Sequence, residues 1–221
     1  MKLLLNTLVK FLCGMVLVWG LIFLPAGTVN YPNGWLFIGT LFLPILLLGL
    51  VLLLKAPDLL KKRLDGKETE RTQKGVVALS ALIFLAGFIV AGLDFRFGWS
   101  TVPTAVVIVA DLLFLTAYGL YAEVMRENAY LARTIKVEDG QRVIDTGLYG
   151  IVRHPMYAAT ILLFSMIPLI LGSWYAALIF LAYPAVIVAR IRNEEAVLTA
   201  QLAGYEEYKA KVRYRLIPFI W

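Results

Sequence analysis

The 221-residue chain has a single histidine, and it lies in a run rich in polar and aromatic side chains, TGLYGIVRHPMY, residues 146–157. An imidazole titrates near neutral pH, so it serves as a general base, a ligand contact or a polar group at an interface. His154 alone leaves these three open. Arg153 beside it reads equally as a cation anchoring a helix end at a membrane surface. Pro155 suits the first turn of a helix, where its missing N–H would have no partner. A second cluster is ARIRNEEAVL, residues 189–198. There Arg190 and Glu194 stand four apart and share a helix face, while Glu195, one step round, is placed to pair with Arg192. On an isolated surface helix such pairs are ordinary and contribute only ~0.3–0.5 kcal/mol each. A third cluster is the terminal YEEYKAKVRYRLIPFIW, residues 205–221.

Other chemistries have little support. The one cysteine, Cys13, sits in an apolar run, so neither an internal disulfide nor a thiolate cluster is available. With one histidine, a metal site would have to be built from carboxylates, and none is expected. GxGxxG, P-loop, GxSxG and HExxH motifs are missing, as is any alternation of strand and helix patterns, which excludes a soluble nucleotide-binding domain of the Rossmann type. Asp111 lies inside an apolar stretch, where an ionisable residue is a functional candidate by default. It has no evident partner and is left outside the site.

The elements that must position these residues are membrane helices. Hydrophobic residues make up 61% of the chain and charged residues 16%, against ~45–50% and ~25% in soluble domains. The mean hydropathy is +0.80. Six apolar stretches stand out, roughly Lys10–Pro25, Trp35–Leu54, Val76–Leu93, Pro103–Ala122, Tyr157–Leu171 and Trp174–Ala189. The first is followed by PAGTVNYPNG, which lacks a small-x-small cleavage site, so it is read as a span rather than a signal peptide. The last two are short. As one straight helix, residues 157–189 would reach ~50 Å, too long for a ~30 Å hydrocarbon core. Gly172 and Ser173 therefore mark the turn of a helical hairpin, with Pro168 and Pro184 as sites of kinking. With the N-terminus inside, 20 of the 21 Lys and Arg fall on one side and only Arg96 opposite. This satisfies the positive-inside rule for six spans with both termini cytosolic. The net charge of +6 thus reports membrane topology, and no nucleic-acid partner is expected.

The expected architecture is all-α: one domain, residues 1–221, forming a polytopic membrane helical bundle of about six transmembrane helices. Residues 1–122 supply four spans. Residues 123–221 form the catalytic region, with the hairpin 157–189 and a C-terminal amphipathic helix. The hairpin returns the second cluster to the membrane face that carries the first, so a cofactor pocket is expected on the cytosolic side. The charged segment 55–75 reads as a surface helix with a turn. Asp139-Gly140, between short β-prone runs, reads as another turn. Leu198, Leu202, Tyr205, Tyr208 and Val212 recur at helical spacing and define a buried face of one terminal helix, with Lys209 and Lys211 toward headgroups. Gly87 and Ala91, small residues four apart, read as helix packing.

Taken together, TGLYGIVRHPMY, a hairpin, RNEEAVL and then YEEYKAKV resemble the isoprenylcysteine carboxyl methyltransferase family over roughly residues 125–221. The resemblance implies an integral membrane, multi-pass enzyme that uses S-adenosylmethionine as cofactor and partners membrane lipids and a lipophilic or lipid-linked acceptor. Residue by residue, it places cofactor binding on Gln141, Arg142, Val143, Ile144, Tyr149, His154, Pro155, Met156, Tyr157 and Glu194, with Thr134 a weaker match upstream. It places the catalytic, acceptor-carboxylate arginine on Arg190. Met156 stands where the family has a small polar residue, and YRLIPFIW departs from the family's usual tail. Methyl transfer from a sulfonium to a carboxylate oxygen needs no metal and no strong base. It needs the acceptor atom in line with the methyl carbon, about 3–3.5 Å away. A phospholipid amine or a thiol are alternative acceptors. The tail also resembles that of the membrane sterol reductases, which would imply NADPH and hydride transfer, but the adjacent Glu194 and Glu195 and the short chain argue against that reading. A non-enzymatic protein that kept the fold is the remaining class.

Overall fold

The computed structural model describes residues 2–65, 71–131 and 137–221, apart from the side chains of residues 71 and 72. Among them nine α-helices form and no strand does. They are α1 (Lys2–Ala26), α2 (Pro32–Lys55), α3 (Pro57–Leu64), α4 (Arg71–Phe97), α5 (Thr104–Glu127), α6 (Pro155–Ile170), α7 (Trp174–Phe180), α8 (Tyr183–Gln201) and α9 (Tyr205–Lys211). Prolines open several of them. Pro32, Pro57, Pro155 and Pro184 all stand in first turns, where a missing N–H breaks no bond.

The protein is a polytopic helical membrane bundle. Helices α1, α2, α4 from Gln73, α5 and the combined stretch Trp174–Gln201 are each long and apolar enough to cross a bilayer; α6 is a shorter apolar helix. The hairpin turns where expected. Gly172 takes φ +81°, and the Ser173 hydroxyl caps α7 by accepting from the Ala176 amide at 3.0 Å. The return arm differs from expectation. It breaks at residues 181–182, so Pro184 starts α8 rather than kinking a continuous helix, and α8 runs on to Gln201 through the whole RNEEAVL cluster.

Two devices hold the bundle. The first is aromatic packing between helices: Phe37 of α2 meets Phe88 and Phe114 at 5.7 and 6.0 Å, and Phe84 of α4 meets Phe164 and Phe180 at 4.7 and 5.3 Å. Gly87 admits the Phe180 ring, which would lie 2.3 Å from a Cβ there, and Gly92 admits the Ile22 carbonyl of α1. The second is a polar clasp at the end remote from the site. The buried Asp94 carboxylate accepts from the Ser100 amide at 2.7 Å and from the Ser100 and Ser173 hydroxyls at 2.6 and 2.5 Å. It ties the end of α4 to the hairpin turn and so fixes how α6 and α8 return to the other end.

Candidate active site

At that other end, residues 147–150 form a single 3-10 turn with Gly147 at φ +52°. The turn presents Tyr149, whose phenol accepts from Asn128 Nδ2 at 2.9 Å and whose carbonyl accepts from the Tyr208 phenol at 2.8 Å. Burial pushes the Tyr149 phenol up to about 12, so it stays neutral. The chain then runs along the C-terminal tail. The amides of Arg153 and His154 donate to the carbonyls of Tyr214 and Arg215, both at 2.9 Å. From there Pro155 begins α6.

Glu195 organises this corner. One of its oxygens accepts from Arg153 Nε at 2.7 Å and lies 3.3 Å from His154 Nε2; the other accepts from Arg215 Nε at 2.7 Å. Arg153 also donates through Nη1 to the carbonyls of Val212 and Arg213. Arg153, His154 and Glu195 are all buried. The pairing of Glu195 with Arg192 expected from helix spacing is therefore replaced by one that joins α8, the 151–154 turn and the tail. His154 faces this carboxylate.

Glu194, on the neighbouring face of α8, belongs to a different group. The Tyr157 phenol donates to Glu194 Oε2 at 2.5 Å and accepts from Arg190 Nε at 2.8 Å. Arg190 and Glu194 do share a face, and a tyrosine from α6 links them. The fully buried Gln73 at the start of α4 donates to the Arg190 carbonyl at 3.5 Å.

The segment after the 138–141 turn closes the remaining side. Its turn is as expected, with Gly140 at φ +73° and the Gln141 amide donating to the Glu138 carbonyl at 3.0 Å, but the flanking runs are not strands. The expected terminal helix is also broken. Gly204, at φ +82°, interrupts it between α8 and α9. The apolar positions nevertheless converge: Leu202, Tyr205, Tyr208 and Val212 pack with Val137, Val143 and Leu198. Lys211, expected at headgroups, pairs with Asp145 at 2.6 Å.

These parts enclose a cleft. Gln141, Arg142, Val143, Ile144, Tyr149, His154, Met156, Tyr157, Arg190 and Glu194 all line it, joined by Arg153, Leu198, Leu202, Tyr205 and Tyr208. Pro155 is buried at the first position of α6 and does not line it. Thr134 lies outside the described residues. Asp111 is half-buried on α5, away from the cleft, with one carboxyl oxygen unpartnered among the described residues. Sequence reasoning missed the Glu195 hub, Gln73, Tyr205 and Arg63. Arg63 of α3 reaches Met156 Sδ at 3.8 Å, with its guanidinium 5.4 Å from the Tyr121 ring centre. Their helical spacing had assigned Tyr205 and Tyr208 to packing alone.

The charged and hydrogen-bonding groups of Arg190, Tyr157 and Glu194 share this lining with the apolar side chains of Val143, Leu198 and Leu202. Apolar side chains beside charged and hydrogen-bonding groups suit a ligand with both apolar and polar parts. A membrane bundle with such a cleft at its end is a candidate membrane enzyme. Residues 105–200 match the model of the Isoprenylcysteine carboxyl methyltransferase (ICMT) family. The match spans α5, the turn, the hairpin and α8, and bears out the resemblance seen in the motifs. It implies a membrane methyltransferase. No curated protein matches the chain.

Proposed function

We propose that the protein is an S-adenosylmethionine-dependent methyltransferase acting on the carboxylate of a lipophilic, prenylcysteine-like acceptor, with its cleft facing the cytosol. The observation that carries this reading is the Arg190–Tyr157–Glu194 chain within a cleft lined by nearly every residue that the family motif assigns to the cofactor. The orientation rests on the basic loops, which lie at the same end as the cleft.

Gln141 to Ile144, Tyr149, His154, Met156, Tyr157 and Glu194 hold the cofactor, and Pro155 sets the start of α6 behind them. Bound there, S-adenosylmethionine supplies an electrophilic methyl group. Glu194 binds a polar group of the cofactor. Arg190 takes the acceptor carboxylate in a bidentate pair, which orients one oxygen toward the methyl group and neutralises the incoming charge. An ionised carboxylate needs no base, so His154 positions rather than abstracts. Its contact with Glu195 fits that role. Tyr157 keeps Arg190 and Glu194 in register. The acceptor's apolar part stays in the bilayer and its head enters sideways, between helices.

The test is calorimetry on purified protein with S-adenosylhomocysteine and, separately, NADPH. S-adenosylhomocysteine should bind and NADPH should not; binding of neither, or of NADPH alone, refutes the assignment. Glu194→Ala should weaken S-adenosylhomocysteine binding. Arg190→Ala should leave it within about threefold, a loss smaller than one ordinary hydrogen bond, yet abolish turnover. Equal loss of affinity in both variants would overturn the division of roles.

A further inference from the structure

Tyr205 and Tyr208 both line the cleft, both are buried, and their rings lie 5.8 Å apart. Their hydroxyls differ. Tyr208 donates to the Tyr149 carbonyl at 2.8 Å. Tyr205 is only 4% exposed, and its hydroxyl has no hydrogen-bond partner among the described residues. A buried hydroxyl without a partner costs about 1–3 kcal/mol, so a fold that keeps one at the wall of a cleft calls for an explanation. A phenylalanine would fill the same space without that cost.

The surroundings say what the hydroxyl can do. Burial first, then the carboxylates of Glu195 and Glu194, push the phenol far above its ordinary range. It therefore stays a neutral phenol, with its O–H free to donate to an acceptor atom of a ligand. Its immediate neighbours Val143, Leu198 and Leu202 are apolar. An apolar wall with one unpartnered O–H matches a purine, whose faces are apolar and whose edge carries unshared electron pairs on nitrogen.

We infer that Tyr205 is a cofactor-binding residue whose hydroxyl donates to an acceptor atom of the cofactor's nucleoside. This rests on the methyltransferase reading. Tyr208, satisfied by the Tyr149 carbonyl, is the packing partner that holds the ring in place.

The experiment compares wild type with Tyr205→Phe by calorimetry, using S-adenosylhomocysteine and 5′-methylthioadenosine, the second lacking the amino-acid end. A thermal melt without ligand accompanies it. The variant should bind both probes roughly tenfold more weakly, the effect of one net hydrogen bond. Its ligand-free melting temperature should be unchanged or higher, because an unsatisfied hydroxyl has been removed. Tyr208→Phe should instead lower the ligand-free melt. Affinities within twofold of wild type for both probes would overturn the inference, as would a lowered ligand-free melt for Tyr205→Phe. Loss on S-adenosylhomocysteine alone would move the contact to the amino-acid end and refute the nucleoside assignment. If wild type binds neither probe, the methyltransferase reading itself fails and this inference falls with it.

Discussion

Glu195→Gln is the sharpest test of how the site is built. The substitution keeps shape and one carbonyl acceptor, and removes the charge. In the native protein that charge faces Arg153 Nε and Arg215 Nε, each at 2.7 Å, and His154 Nε2 at 3.3 Å. The two arginines should respond differently. Arg153 is 7% exposed and pinned by the Val212 and Arg213 carbonyls, so it cannot turn to water. Breaking a buried pair from one side costs about 3–5 kcal/mol; the retained carbonyl places Gln at the lower end, about 3 kcal/mol. The Arg215 side chain is 34% exposed and loses at most a surface pair of about 0–1 kcal/mol. For a protein of this size about 1 kcal/mol shifts the midpoint by ~2–4 °C, which gives about 6–12 °C. Thermal unfolding in detergent, followed by tryptophan fluorescence, measures it. Arg215→Gln should shift the midpoint by no more than about 4 °C. The double variant Arg153→Met/Glu195→Leu should lose less than the sum of its singles, because a missing pair is milder than a half-pair. A Glu195→Gln midpoint within about 2 °C of wild type, under 1 kcal/mol by the same scaling, would refute the argument that this carboxylate holds the turn, α8 and the tail together.

Further outcomes follow from the same geometry. Gly92→Ala should destabilise more than Gly87→Ala, because its Cβ would lie 2.5 Å from the Ile22 backbone carbonyl whereas the Gly87 clash is with a rotatable Phe180 ring; the overpacking range is about 1–3 kcal/mol, and equal melts would contradict the ranking. Tyr157→Phe removes both bonds that join Arg190 to Glu194. Hydrogen bonds to charged groups are worth about 1.5–3 kcal/mol, so kcat should fall roughly 10- to 150-fold with S-adenosylhomocysteine still bound; an unchanged kcat would count against the bridge. The Lys211 hydrogen bond and charge hold the exposed Asp145 carboxyl below its usual range. A lowered folded-state value means that the stabilisation is present above about pH 4 and is lost as pH falls through the folded value. Lys211→Gln should therefore differ slightly from wild type in melting midpoint at neutral pH, and the gap should close on acidification. A gap that widens toward low pH would reverse the sign.

How far the sequence reaches can be judged residue by residue. The apolar stretches, the Gly172–Ser173 turn and the surface helix after Lys55 were legible because each rests on local chemistry: segment length, a left-handed glycine, a proline at a helix start. The cleft-lining residues were legible only through a motif, since Gln141 and Glu194 lie 53 positions apart and nothing local links them. Where local reasoning stood alone it failed in a consistent way. Helix spacing paired Glu195 with Arg192, but a carboxylate at the end of a short hairpin is reached by whatever the hairpin returns to it, here Arg153, His154 and a tail twenty residues downstream. The same spacing read residues 198–212 as one helix and correctly chose its buried positions, yet missed that Gly204 breaks it.

The break has a consequence for function. A continuous helix would carry Tyr205 and Tyr208 straight on along the axis of α8. The left-handed turn at Gly204 instead folds α9 across the end of α8, setting Tyr208 against the Tyr149 carbonyl and Tyr205 into the cleft wall. The chain then continues into the tail whose carbonyls receive the amides of Arg153 and His154. Part of what fixes the histidine's surroundings thus arrives from the last part of the chain. The tail YRLIPFIW supplies the carbonyls of Tyr214 and Arg215 and the second guanidinium on Glu195. Backbone carbonyls depend little on side-chain identity. A tail of other side chains could therefore hold the RHP turn through the same two carbonyls.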